Sequence, residues 1–204
     1  MDLFELFIKH YILRNKAEYS RQIAKKTPKI PLPIVGSATP GGEASPELLE
    51  EINKRAALLP YKLDPLQGLN DYYTHPETVQ YEVEMATRRQ PGVKSPYDCD
   101  DLALYAYSLA EKAGVAFGAR KIWNLIIAPQ NQVTQMWANH VIAAFKFTNH
   151  QGEWWCVIDT NTAYGKTLFW FQGNEAQAKV HFIRHFSGVY NVNYYKIIAV
   201  EPPF

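Results

Sequence analysis

The chain has 204 residues, 47% of them hydrophobic and 20% charged. This is the composition of one globular domain able to bury its own core, which excludes a disordered chain and one that depends on disulfide or metal staples. Lys plus Arg number 21 and Asp plus Glu 20, a net charge of +1, so no basic excess points to nucleic acid.

Residues 2–26 read as an amphipathic helix. Leu3, Phe4, Phe7, Ile8 and Tyr11 recur at helical spacing, with Glu5, Lys9 and Arg14 on other faces. The expected role is packing on the body or on a partner or sister subunit, because the polar face is not basic enough for a membrane anchor. The start Met1-Asp2-Leu3-Phe4-Glu5 lacks a basic segment followed by an uninterrupted apolar one, so no signal peptide is expected. No apolar run approaches the roughly 18 residues of a membrane span. The location implied is the cytoplasm, or a virion if the chain is phage-encoded.

Pro28, Pro31, Pro33 and then Gly36, Pro40, Gly41 and Gly42 forbid regular structure and mark a linker. Two parts follow: an appendage over 1–45 and a body over 46–204. Ser45-Pro46-Glu47 starts a helix, with a capping Ser, Pro at the first helical position and acid in the first turn; it runs to about Leu59. A second helix begins near Thr74-His75-Pro76-Glu77 and ends before Gln90-Pro91-Gly92. A third runs from Asp98 to Gly114, a C-terminal glycine. Stretches 121–128, 140–148, 153–160, 167–172 and 194–200 are rich in Val, Ile, Phe, Tyr and Trp and read as an antiparallel sheet, while 180–186 suits helix or strand. Helices first and strands after give an α+β class.

The segment Ser95-Pro96-Tyr97-Asp98-Cys99-Asp100-Asp101 carries the chemistry. Asp98 is placed as N-cap and Asp101 for reciprocal capping. Cys99 then falls in the first helical turn, where free N–H groups and the helix dipole favour a thiolate and could hold an oxyanion. The three acids work against the thiolate, so a cationic partner is needed, and His is the usual one. In the hairpin from Asn139 to Asn161, pairing of Asn149 with Gly152 across the turn puts His140 opposite Asn161, with Asp159 as its diagonal neighbour on the same face. A slip of one residue would separate them. Cys156 points to the other face in that register, so Cys99 is the candidate nucleophile and Cys156 a core group. Two cysteines exclude a disulfide-dense scaffold and leave one bridge open. Residues 160–167 lack the first P-loop glycine and run into a strand instead of a helix, and His181 with His185 lacks the Glu of a zincin.

These segments together resemble the transglutaminase-like cysteine proteinases of bacteria, within the papain-like superfamily. The resemblance rests on residues 71–77, on Asp98-Cys99-Asp100-Asp101-Leu102-Ala103, on His140-Val141-Ile142 and on Val157-Ile158-Asp159, and covers roughly 65–165. It implies a papain-like/transglutaminase-like core with the cysteine helix packed on the sheet. Cys99 would be nucleophile, His140 base and Asp159 the orienting acid. Tyr73 matches an aromatic that lines the site. No cofactor is required, although Asp98 and Asp100 match positions that bind calcium in some members. Tyr97 stands where the family tends to have Gly, and 1–40 has no counterpart. The expected activity is hydrolysis of an amide bond in a protein or peptide through a thioester. The same groups serve acyl transfer to an amine, and a non-catalytic assembly protein on this fold, docking through its N-terminal arm, is a third reading.

Overall fold

A computed structural model of the chain describes residues 28–59, 74–88, 97–129, 138–159, 167–190 and 192–200. The helix expected over 2–26 and the aromatic Tyr73 lie outside the described residues. Three helices come first: α1 (Pro46–Ala56), α2 (Pro76–Thr87) and α3 (Cys99–Lys112). Then come strands β1 (Arg120–Pro129), β2 (Ala138–Asn149), β3 (Gly152–Ile158) and β4 (Leu168–Gln172), helix α4 (Glu175–Tyr190) and strand β5 (Val192–Val200). The strands form one antiparallel sheet in the order β4-β3-β2-β1-β5. The class is α+β, with the cysteine helix packed on β2 and β1.

Local chemistry accounts for the element ends. The Ser45 hydroxyl accepts the Leu48 N–H at 3.2 Å, and Pro46 opens α1. Leu48, Leu49, Ile52 and Ala56 are buried along one stripe of this helix. Eleven residues are too few to hold a helix alone, so this packing sustains it. At the end of α3, Gly114 N–H donates to Glu111 O at 2.9 Å and Val115 N–H to Ala110 O at 2.9 Å. Gly114 has φ +90°, the left-handed turn that this double bond requires and that glycine adopts without strain.

Alternation along the strands sends side chains to two separate clusters. Ile122, Val141, Ala143, Phe145, Cys156 and Ile158 pack with α1, α2 and α3. Trp123, Leu125, Ile142, Ala144, Trp155 and Val157 pack with Ala178 and Phe182 of α4. The sheet is therefore covered on both faces. The segment left open between helix and strand, 180–186, lies inside α4. Its start is fixed by a reciprocal cap: Gln177 N–H donates to Asn174 Oδ1 at 3.1 Å, and Asn174 N–H to Gln177 Oε1 at 2.9 Å.

Residues 28–45 have no regular structure, as their Pro and Gly content demands, yet this stretch is not a free spacer. Ile30 N–H donates to Glu77 O at 3.1 Å, Ala38 N–H to Ala113 O at 2.8 Å and Ala44 N–H to Lys146 O at 3.2 Å. Leu32, Val35 and Ala38 pack against the helical cluster, and Ala44 is fully buried. The spacing of Pro and Gly reports the absence of helix and strand, and says nothing about whether an extended chain is packed.

Candidate active site

Cys99 is the first residue of α3 and is half-buried, whereas Cys156 is buried; no disulfide joins them. Burial pushes the Cys156 thiol well above its ordinary value, so it is an inert core group. Asp98 sits at the N-cap with extended backbone, but its side chain does not cap the helix. Asp101 reaches beyond its own helix: its Oδ1 accepts the backbone N–H of Thr74 ahead of α2, 27 residues away. A buried N–H needs an acceptor, and Asp101 supplies one. Asp98, Asp100 and Asp101 are all buried.

The hairpin of β2 and β3 takes the register in which Asn149 pairs with Gly152, and keeps it to Ala143 opposite Ile158. Its turn is set by Asn149, whose Oδ1 accepts the Gln151 N–H at 2.8 Å, and by Gly152 at φ +114°. His140, near the start of β2, and Asp159, just past the end of β3, are brought together: His140 Nε2 lies 3.0 Å from Asp159 Oδ1, with both residues buried. Burial opposes a charged imidazole at His140. The charge of Asp159, its hydrogen bond, and then the charges of Asp98 and Asp100 outweigh burial and raise the proton affinity of His140 above the ordinary 6.5. The acids flanking Cys99 are thus near enough to act on the ring, which ties the start of α3 electrostatically to the hairpin. Nε2 is the ring nitrogen that Asp159 engages.

One donor atom each from Asp98, Cys99 and Asp100 lie within 4.8 Å of one another. Two buried carboxylates suit a hard cation, but calcium takes about six to eight oxygens, so this set would supply only part of a shell. No helix among the described residues is long and apolar enough to cross a membrane.

The bond that sequence reasoning did not find is the one Asp101 accepts from the Thr74 N–H, because its partner lies 27 residues away in the chain.

No protein-family model matches the chain, and no curated protein sequence matches it. Among solved structures it is similar to Legionella pneumophila LapG. The EGTA-treated form is 20% identical over 59% of this chain and 55% of that one, with a TM-score of 0.34. A second LapG structure is 21% identical over 59% and 56%, TM-score 0.35. The calcium-bound form is 17% identical over 78% and 84%, TM-score 0.36. In the first two, the chain spans little more than half the length of LapG.

Proposed function

We propose that the chain is a cysteine hydrolase that cleaves amide bonds in a protein or peptide substrate. The observation that carries this reading is the buried bond from His140 Nε2 to Asp159 Oδ1, set where the acids around Cys99 also act on the ring. In this reading His140 Nδ1 takes the Cys99 proton, and Asp159 holds the tautomer and steadies the imidazolium. Cys99 Sγ bonds to the substrate carbonyl carbon. The carbonyl oxygen takes the electron pair and is met by N–H groups of the first turn of α3, with Tyr73 beside them as the resemblance implies. Collapse breaks the C–N bond, and His140 returns the proton to the leaving amine. Water, deprotonated by His140, then hydrolyses the thioester.

No step runs through a metal. Asp98 and Asp100 are the carboxylates that would hold calcium, and negative charge given to that ion would be withdrawn from His140.

The test is alkylation with iodoacetamide at near-neutral pH, followed by mapping of the modified thiol. Cys99 reacts first in the native protein, and His140→Ala slows it by about tenfold or more. Labelling of Cys156 first would overturn the assignment, and an unchanged rate in His140→Ala would favour an assembly protein that uses the fold without its chemistry. Adding a primary amine to a cleavage assay separates hydrolysis from acyl transfer by the product formed.

A further inference from the structure

Strand β4 is an edge of the sheet: among the described residues only β3 pairs with it. At one end Asp159 N–H donates to Thr167 O at 2.9 Å, and at the other Gly173 N–H donates to Glu153 O at 2.8 Å. The register between them is unbroken. Backbone groups alternate along a strand, so Thr167, Phe169, Phe171 and Gly173 turn theirs toward β3. Leu168, Trp170 and Gln172 therefore direct N–H and C=O outward, where no other described strand meets them. Sheet edges are ordinarily guarded by a charge, a proline or a bulge. The stretch from Thr167 to Gly173 has none of these. Its large apolar side chains, Leu168 to Phe171, are only half-buried. Leu168 and Trp170 lie on the face of α1, α2 and α3, and Phe169 and Phe171 on the face of α4.

We infer that this edge is a self-association surface: a second copy of the chain lays its own β4 antiparallel along the first, about a two-fold axis at Trp170, and the two sheets become one. The occupant follows from the symmetry of the edge. About that axis Trp170 faces the second copy's Trp170, and Leu168 faces the second copy's Gln172. These are the positions whose backbone groups point outward, so each pair exchanges both of its bonds and no outward group from 168 to 172 is left over. The side chains agree on both faces. Trp170, which meets Phe147 edge-on, comes beside its symmetry mate. Phe171 comes opposite the second copy's Phe169, on the face where Phe171, Gln177 and His181 line a groove along the edge. Cross-strand aromatic pairs of this kind are stabilising. No like charges oppose each other, because the strand carries none, and an uncharged edge gives a charged peptide nothing to select. A five-residue ladder is a small contact beside the standard interface of roughly 800 Å² per partner, so the pairing belongs in the micromolar range. The inference is independent of the chemistry at Cys99.

The experiment uses the full chain. Sedimentation from about 5 to about 500 μM should show monomer passing to dimer. Gln172 is exposed and its N–H points outward. Gln172→Pro thus removes a donor between the copies and keeps the ladder to β3, giving up only an exposed side-chain bond to Gln151 O. It should raise the dimer dissociation constant about tenfold or more and leave the thermal midpoint of the monomer unchanged. A monomer throughout, or a dimer that Gln172→Pro leaves at wild-type strength, would overturn the inference. Amide exchange read by NMR on the unmutated chain keeps the test open even if the variant folds poorly. The amides of Leu168, Trp170 and Gln172 should gain about tenfold or more in protection between the two concentrations, while those of Phe169 and Phe171 are protected at both. Exchange at 168, 170 and 172 that does not depend on concentration would overturn the inference; if it is slow at both, the edge belongs to another part of the same chain.

Discussion

Burial alone would strip the proton from His140, and the carboxylate across the 3.0 Å bond decides otherwise. The folded protein therefore holds that proton above the ordinary 6.5. The stabilisation it brings is present in full below pH 6.5 and is lost as pH rises through the raised value. Asp159→Asn keeps the shape and removes the charge, so burial, already the largest single effect on the ring, loses its main opponent. The variant should lose about 1–3 kcal/mol near neutrality, and the fall in stability on alkaline titration should disappear. Urea midpoints from about pH 6 to about pH 9 measure this; a variant with the wild-type slope would show that Asp159 does not set it. This pair was legible in the sequence because a short turn bounded by Asn149 and Gly152 fixes one register, and strand side chains alternate with period two. The link from Asp101 to Thr74 was not, because its partner is a backbone group chosen by the tertiary path of the chain. Residue type and local spacing point only to a cap at its own helix.

At the scale of elements, the packed stretch 28–44 changes what truncation should do. Read from sequence, the whole of 1–45 is an appendage, and removing it leaves the body intact. In the structure the half-buried Leu32 and Val35 and the buried Ala44 lie on the helical cluster, together worth on the order of 3 kcal/mol. Three backbone bonds from this stretch reach α2, the end of α3 and β2. Deleting 1–27 should therefore leave cooperative thermal unfolding, whereas deleting 1–44 should lower the midpoint sharply or abolish the transition. Equal midpoints for the two truncations would return 28–44 to the status of a linker. The helix starts at Pro46 and Pro76 and all five strands could be read from local signals, since Pro at a first helical position and β-branched or aromatic runs act over a few residues. Helix α4 was left undecided because its apolar residues suit either period. Its start was nonetheless written in Asn174 and Gln177, the reciprocal cap that follows Gly173.

Across the whole molecule, the sheet separates two apolar clusters, with α1, α2 and α3 on one face and α4 on the other. Phe182 of α4 is fully buried and meets Phe171 edge-on, centroids 5.8 Å apart. Beneath α4, Trp123 and Trp155 stack at 5.7 Å. Phe182→Ala should cost about 3–5 kcal/mol and change the fluorescence of that tryptophan pair, while iodoacetamide still reacts with Cys99 of the folded protein at its wild-type rate. Urea denaturation and alkylation at low denaturant read the two effects separately. A matching loss of thiol reactivity would mean that the faces are coupled. The hairpin that joins His140 to Asp159 carries a further constraint, on chain length. Residues added between His150 and Gln151 enlarge a tip and leave the ladder from Asn149 and Gly152 inward untouched. One residue added within 141–148 turns His140 to the opposite face, and two restore the face but move the ring roughly 6.8 Å along the strand. Insertions in this hairpin are therefore sorted by place before number: the tip absorbs any count, and the strand admits neither an odd step nor an even one without parting the imidazole from its carboxylate.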